Sequence, residues 1–304
     1  MTQETPPAGP AQSGTERIAK RLARAGLCSR RDAERWIAEG RVAVNGTVLQ
    51  SPAFTVGPKD RVVVDGKPLP QDEPTRVWRY HKPSGLVTTA RDEKGRPTVF
   101  EALPTELPRV ISVGRLDLTT EGLLLLTNDG GLARHLELPA TGWPRRYRVR
   151  VHGKPEPERL KALKKGITLE GVSYGPIDAE LEREQGSNAW LTVTLREGKN
   201  REIRKVMEHL GLAVNRLIRV AYGPFQLGKL DSGAVEEVPV RVLRDQLPDF
   251  FPRSEGEAKA KPKPERPHHD KPPSKANTDQ KPGKPKLRFD KPRAYKGRDA
   301  DRRR

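Results

Sequence analysis

Four consecutive leucines, Leu123–Leu126, limit most sharply what this chain can become. They stand in the stretch Gly114-Arg115-Leu116-Asp117-Leu118-Thr119-Thr120-Glu121-Gly122-Leu123-Leu124-Leu125-Leu126-Thr127-Asn128-Asp129-Gly130. A short aliphatic run bounded by turn residues reads as a buried strand. It is far shorter than the roughly 20 apolar residues a membrane-spanning helix needs. Asp129 is placed to open a helix that runs through Leu136. Ahead of the strand, Asp117 lies between two leucines, and a carboxylate there is costly unless something pairs with it. The residues alone leave three roles open. Asp117 could cap the turn at Thr119 and Thr120. It could be an exposed loop acid. Or it could be a desolvated carboxylate, held ionised by Arg115 and available as a nucleophile.

The charge balance points to the partner. The 304 residues carry 58 Lys and Arg against 40 Asp and Glu, a net charge of +18. Such an excess favours nucleic acid first and an acidic membrane second. Much of it lies at the C-terminal end, where residues 253–304 hold 18 Lys and Arg against eight Asp and Glu. Lys-Pro pairs recur there from Lys261-Pro262 to Lys291-Pro292, and little apolar surface is left to bury, so a disordered basic tail is expected. Residues 1–14, rich in Pro, Gly, Ser and Gln, are expected to be disordered too. No basic-then-apolar signal pattern opens the chain, and a cytoplasmic protein is expected. The single cysteine, Cys28, excludes an internal disulfide or a Cys-clustered metal site and reads as a small core residue. The six histidines are scattered, and no metal is expected.

The first folded part spans residues 15–70. Ile18 and Leu22 share one helical face, and Gly26 is placed to stop that helix. Ser29 followed by Asp32 forms a capping box for a second helix with Ala33, Trp36 and Ile37 inward. Val42-Ala43-Val44 before Asn45-Gly46, and Val62-Val63-Val64 before Asp65-Gly66, predict two hairpins with type I′ turns. Arg17, Lys20, Arg21, Arg24, Arg30, Arg31, Arg35 and Arg41 crowd around the helix pair. They form either a solvated face or a patch that tracks phosphates. The helix pair followed by Gly40-Arg41-Val42-Ala43-Val44-Asn45-Gly46 resembles the S4-type RNA-binding domain, which favours the second.

The second folded part spans residues 76–248. Strands are predicted at Val77–His81, Leu123–Leu126, Tyr147–Val151, Trp190–Leu195 and Val214–Val220, and helices at 157–165 and 201–210, the latter ended by Gly211. Strands and helices mix without a regular alternation, which argues for an α+β fold with a mixed or antiparallel sheet.

The central stretch resembles the signature of the RsuA/RluB family of rRNA pseudouridine synthases, carried here by Gly114-Arg115-Leu116-Asp117, Gly122-Leu123-Leu124 and Thr127-Asn128-Asp129-Gly130. His81-Lys82-Pro83-Ser84-Gly85 resembles a further family motif, with His at a position more often Asn. Arg146-Tyr147-Arg148-Val149, Glu197-Gly198-Lys199-Asn200-Arg201-Glu202-Ile203-Arg204-Lys205 and Leu217-Ile218-Arg219-Val220 follow in family order. The resemblance implies isomerisation of uridine in rRNA without a cofactor. It implies that Asp117 is the nucleophile, that Tyr147 stacks on the flipped uracil, and that Arg204 pairs with Asp117. Arg115, Lys199 and Arg201 would contact RNA. Three acts stay open to Asp117: attack on the anomeric carbon, removal of a ribose proton, or attack on the base. Arg91–Phe100 resembles the large-subunit enzymes of the family, so 23S rRNA is the expected partner, with 16S rRNA as the alternative. A monomer without membrane contact is expected. Two other classes were weighed: a non-catalytic RNA-binding assembly factor, which would be free to lose Asp117, Tyr147 and Arg204, and a glycoside hydrolase, which needs a second carboxylate in a defined setting.

Overall fold

The structure is a computed structural model that describes residues 14–70 and 73–252. Residues 1–13 and the expected basic tail from residue 253 lie outside the described residues.

The N-terminal part opens with a two-residue strand, β1 (Glu16–Arg17), which leads into α1 (Ile18–Arg24) and then α2 (Arg30–Ala38). The capping box forms as its spacing predicts: the Asp32 amide donates to Ser29 Oγ at 3.0 Å, and the Ser29 amide donates to Asp32 Oδ2 at 3.2 Å. A four-stranded sheet follows, built from β2 (Val42–Val44), β3 (Thr47–Val48), β5 (Val62–Val64) and β6 (Lys67–Pro68), while β4 (Thr55–Val56) pairs with β1. Both hairpin turns have consecutive positive φ, at Asn45 and Gly46 and at Asp65 and Gly66, as type I′ geometry demands. Ile18, Leu22, Ala33, Ile37, Val42 and Val62 form a small core of their own, and Cys28 is buried within it.

The chain then builds a larger α+β unit. In order it contains β7 (Val77–Lys82), β8 (Ile111–Val113), β9 (Thr120–Thr127), α3 (Gly130–Glu137), β10 (Arg145–His152), α4 (Pro157–Ala162), β11 (Ile167–Leu169), β12 (Val172–Tyr174), β13 (Ile177–Gln185), β14 (Asn188–Leu195), α5 (Glu202–His209), β15 (Ala213–Tyr222), β16 (Phe225–Gln226), β17 (Val235–Glu237) and α6 (Val240–Gln246). Nine of the strands form one sheet in the order β13-β14-β10-β15-β9-β7-β17, with β16 on β15 and β8 on β9. Every pairing in it is antiparallel except β15 with β9.

The leucine run now has its explanation. Leu124 and Leu126 join a core with Val149 and Leu191 from the sheet, Leu160 from α4 and Val206 from α5. Leu123 and Leu125 face the other way, into a core with Leu132 and Leu136 of α3 and Leu243 of α6. Because side chains alternate along a strand, an unbroken apolar run fits only a strand covered on both faces.

The parallel contact between β9 and β15 depends on one glycine. Gly122 lies opposite Arg219 with φ +102°, and a Cβ there would sit 2.3 Å from the Arg219 carbonyl oxygen.

Some local expectations shift. The predicted helix 157–165 stops at Ala162 and tightens into a 3₁₀ turn over Leu163–Lys165. Arg201 lies outside its helix as a left-handed N-cap with φ +52°. Strand β13 alternates apolar and polar residues only from Ile177 to Leu181; its far half is polar and exposed.

Candidate active site

Asp117 stands on the loop between β8 and β9, and that loop is held at almost every residue. The Gly114 amide donates to Glu137 Oε1 at 2.7 Å. Thr88 brackets Leu116: its hydroxyl donates to the Leu116 carbonyl at 2.8 Å and accepts from the Leu116 amide at 3.3 Å. The Gly85 amide donates to the Leu118 carbonyl at 2.8 Å. The turn itself closes through backbone, with the Thr120 amide donating to the Asp117 carbonyl at 3.0 Å. Among the described residues the Asp117 side chain makes no hydrogen bond, so it does not cap that turn. A loop fixed in this way holds the Asp117 backbone in one place, as a positioned functional group needs.

Lys82 lies beneath this loop and is fully buried at the end of β7. Its ammonium donates to the Pro83 and Thr120 carbonyls, each at 3.0 Å, and lies 3.4 Å from the Leu118 carbonyl. Burial pulls its pKa down to about 8, while the negative charges of Asp117 and Glu121 oppose that fall. Lysine is tolerated here because three carbonyls and two carboxylates surround it.

The expected guanidinium grip on Asp117 is absent. Asp117 is half-buried and forms no ion pair within 4.0 Å among the described residues. Arg204 is engaged elsewhere. It donates to Thr119 Oγ1 at 3.0 Å, to the Thr119 carbonyl at 3.3 Å and to the Val214 carbonyl at 3.2 Å. Burial, and secondarily the charge of Arg201, lower its pKa from the ordinary arginine value, whereas Asp117 raises it. Arg204 is thus bonded to the loop that carries Asp117 and not to Asp117 itself. Arg115 is exposed. Leu116 is buried as expected, but Leu118 is 36 % exposed and gives the carboxylate little shelter.

Asp117 and Tyr147 line one open cleft of about 1110 Å³. Tyr147 comes from β10, opposite Val193 of β14 and Arg219 of β15, and only 9 % of it is exposed. Arg115, Lys199 and Arg201 line the same cleft; Arg204 does not. Arg201 is exposed, whereas Lys199 is tied to Glu197 at 2.6 Å and to the Ser173 carbonyl at 2.6 Å.

The helix-pair patch is smaller than its composition implies. Glu16 takes ion pairs from Lys20, Arg21 and Arg24, Asp32 holds Arg35 at 3.0 Å, and Asp65 holds Arg41 at 2.7 Å. Arg17, Arg30 and Arg31 are exposed and form no ion pair among the described residues. Cys28 is buried with its thiol pushed up to about 11 by burial, which suits a core residue rather than a nucleophile.

Several cleft residues escaped the sequence reading. Glu202 is buried, and burial drives its carboxyl pKa up, with the nearby Glu197 adding to the rise. Its Oε2 accepts from the Lys199 amide at 3.0 Å, and its carboxyl lies within hydrogen-bonding reach of that of Glu197. Arg145 and Arg219 are buried at 9 % and 3 % exposure. The signal for Arg219 was a charge between Leu217 and Ala221, at an inward position in the apolar half of its strand. Arg145 and Glu202 gave none. Among the described residues no group of three His, Cys, Asp or Glu side chains is placed to hold a metal ion, and no helix is long and apolar enough to cross a membrane.

Comparison with known proteins agrees with this geometry. Residues 76–209 match the RNA pseudouridylate synthase family, and residues 16–62 match the S4 domain. A Rickettsia felis protein described as an uncharacterized RNA pseudouridine synthase is 48 % identical over 228 residues, covering 75 % of this chain and 99 % of that one. The ribosomal large subunit pseudouridine synthase B of Pseudomonas aeruginosa is 42 % identical over 236 residues, covering 75 % of this chain and 61 % of that one. Among solved structures, one described as a pseudouridylate synthase superposes with a TM-score of 0.53 at 26 % identity, covering 75 % of this chain and 98 % of the other. An aspartate on a pinned loop and a strand tyrosine lining one cleft, in a chain that also carries an S4 domain, thus belong to a member of the RNA pseudouridine synthase family.

Proposed function

We propose that this enzyme isomerises a specific uridine of 23S rRNA, with Asp117 as the nucleophile and Tyr147 stacking on the uracil. The observation that carries the reading is the shared cleft of Asp117 and Tyr147, with the Asp117 loop fixed by Lys82, Thr88, Gly85 and Arg204. In the reaction the bond from uracil N1 to ribose C1′ breaks and a bond from C5 to C1′ forms. C5 loses a proton and N1 gains one, so nothing is consumed. The uridine leaves its stack to reach the carboxylate, as bases do in other enzymes that act on them. The detached uracil must stay in place while it turns, and the part of Tyr147 that lines the cleft offers that surface.

The choice of large-subunit RNA rests on two supports. Relatives from Pseudomonas aeruginosa and Yersinia pestis carry the name ribosomal large subunit pseudouridine synthase B. The segment Arg91–Phe100, which resembles the large-subunit enzymes, contributes Arg91, Asp92, Glu93, Lys94, Arg96 and Phe100 to the cleft, where Arg96 is paired with Asp92 at 2.7 Å. Residues 15–70 serve as an RNA-binding domain beside a catalytic domain of residues 76–248, with Arg17, Arg30 and Arg31 of its helix pair exposed and in no ion pair among the described residues. The protein acts as a monomer.

The test is tritium release from rRNA carrying uridine labelled at C5, since that hydrogen is lost only when C5 becomes the glycosidic carbon. The native protein is expected to release tritium from 23S rRNA, and Asp117→Asn to release none while binding RNA nearly as tightly. Turnover by Asp117→Asn would remove Asp117 from its role, and release from 16S rRNA alone would move the target to the small subunit.

A further inference from the structure

We infer that Arg219 and Arg145 form a phosphate subsite in the cleft, which holds the phosphodiester next to the uridine that enters it. The inference rests on the RNA-isomerase reading above and adds to it a site that the Asp117 chemistry does not require.

The site follows from how two strands part. The parallel ladder between β9 and β15 ends at Gly122 and Arg219. The next carbonyl, Leu123, is met by a side chain: Arg219 Nε donates to it at 2.7 Å. That bond fixes the guanidinium beside the strand and leaves Nη2 buried without a partner. Arg145 enters from β10. Its Nη1 donates to the Arg196 carbonyl at 2.7 Å and its Nη2 to the Tyr222 hydroxyl at 3.1 Å. Tyr222 in turn donates to the Leu136 carbonyl at 2.8 Å, which locks the ring. Both guanidinium carbons lie 5.0 Å from the centroid of that one ring.

Two buried cations thus share one aromatic ring, and neither forms an ion pair among the described residues. Buried charge without a counter-charge is costly, and a planar guanidinium fork suits phosphate oxygens. Of the other acids lining the cleft, Glu197 is already held by Lys199 and the Gly175 amide. A uracil carbonyl could accept from Nη2 but would leave both positive charges standing. A phosphodiester supplies an acceptor together with one negative charge, which the two guanidinium groups would share. Tyr147 lies opposite Arg219 across the strand pair, so a phosphate held here belongs to the nucleotide whose base meets Tyr147.

The experiment uses the full-length protein and an RNA oligonucleotide spanning the uridine mapped by tritium release. A single methylphosphonate replaces the phosphate 5′ or 3′ to that uridine. One of the two replacements is expected to weaken binding to the native protein about tenfold, the loss of a charge-assisted contact. In Arg219→Met the same replacement should change binding less than twofold, and the slope of log K against log salt should fall by about 0.7. Arg219→Lys should recover most of the difference. Native binding indifferent to both replacements overturns the subsite, and that arm needs no protein variant. So does an Arg219→Met protein that stays as sensitive to neutralisation as the native one. Tritium release without any phosphate effect refutes this inference and leaves the isomerase standing; no release from rRNA removes both.

Discussion

Replacing Lys82 with methionine tests how the catalytic loop is held. The side chain is fully buried, and its ammonium donates to the Pro83 and Thr120 carbonyls, with the Leu118 carbonyl at 3.4 Å. Methionine keeps most of the volume and removes every donor. Each carbonyl left unmet costs about 1–3 kcal/mol. Against this stands the cost of burying the charge. Burial lowers the pKa from 10.5 to about 8, so the ionised form is disfavoured by about 3 kcal/mol. The net expectation at pH 7 is a loss of roughly 1–3 kcal/mol, together with a slower chemical step as the Asp117 loop loosens. The pH dependence is more telling. Between the folded and unfolded pKa values the unfolded chain binds more protons, so stability rises with pH in that window and falls back as pH drops through 8. For Lys82 the rise amounts to about 2.5 kcal/mol between pH 7 and pH 10. Urea unfolding of both proteins at several pH values in this range isolates it, because other titrating groups cancel in the difference. The native curve should climb relative to that of Lys82→Met. Parallel curves would refute the reasoning, since Lys82 would then titrate alike in folded and unfolded chains.

Three further substitutions probe neighbouring features. Gly122→Ala places a Cβ 2.3 Å from the Arg219 carbonyl oxygen at φ +102°, and should cost about 3 kcal/mol or more, roughly 6–12 °C in Tm; an unchanged melting curve would mean that β9 and β15 part without penalty. Glu202→Gln keeps the shape of the protonated acid. Because burial raises the native Glu202 pKa, its stabilising effect is complete below the unfolded value and is lost as pH rises through the folded one, so the variant should flatten the fall in stability from mildly acidic to neutral pH in denaturant titrations. Ser29→Ala removes one half of the capping box on α2 and should lower stability by about 1 kcal/mol, measurable as a shift in the urea midpoint, whereas no shift would mark α2 as held by packing alone.

Local patterns carried much of the fold. The Leu123–Leu126 run announced a strand covered on both faces because a strand alternates and no polar position interrupts the run. Asn45-Gly46 and Asp65-Gly66 announced their turns because two consecutive positive φ values suit few other pairs. Ser29 and Asp32 announced a helix start because their reach matches the first turn. Where the pattern was silent, structure came from neighbours. Half of β13 alternates Glu with other polar residues and is a strand because β14 beside it supplies the hydrogen bonds. Arg201, read as helical, is turned into a left-handed cap by the glycine-containing loop before it.

The site divides along the same line. Asp117, Tyr147 and Arg204 were legible because each sits in a local signature, and the cleft brings the first two together. Which atoms touch which was not legible. The partner of Arg204 is Thr119 rather than Asp117, and the group beneath the catalytic loop is Lys82, 35 residues earlier in the chain. Basic residues near the helix pair looked alike in sequence, yet Glu16, Asp32 and Asp65 neutralise most of them and leave Arg17, Arg30 and Arg31 unpaired. Sequence by itself determined most of the elements and the local motifs that single out the candidate groups, since both depend on residues near one another in the chain. Tertiary structure alone decided burial, pairing and charge balance around those groups, because Arg145, Glu202 and Arg219 meet at the cleft, with Lys82 beneath its loop, only after three separate strands and a helix have packed.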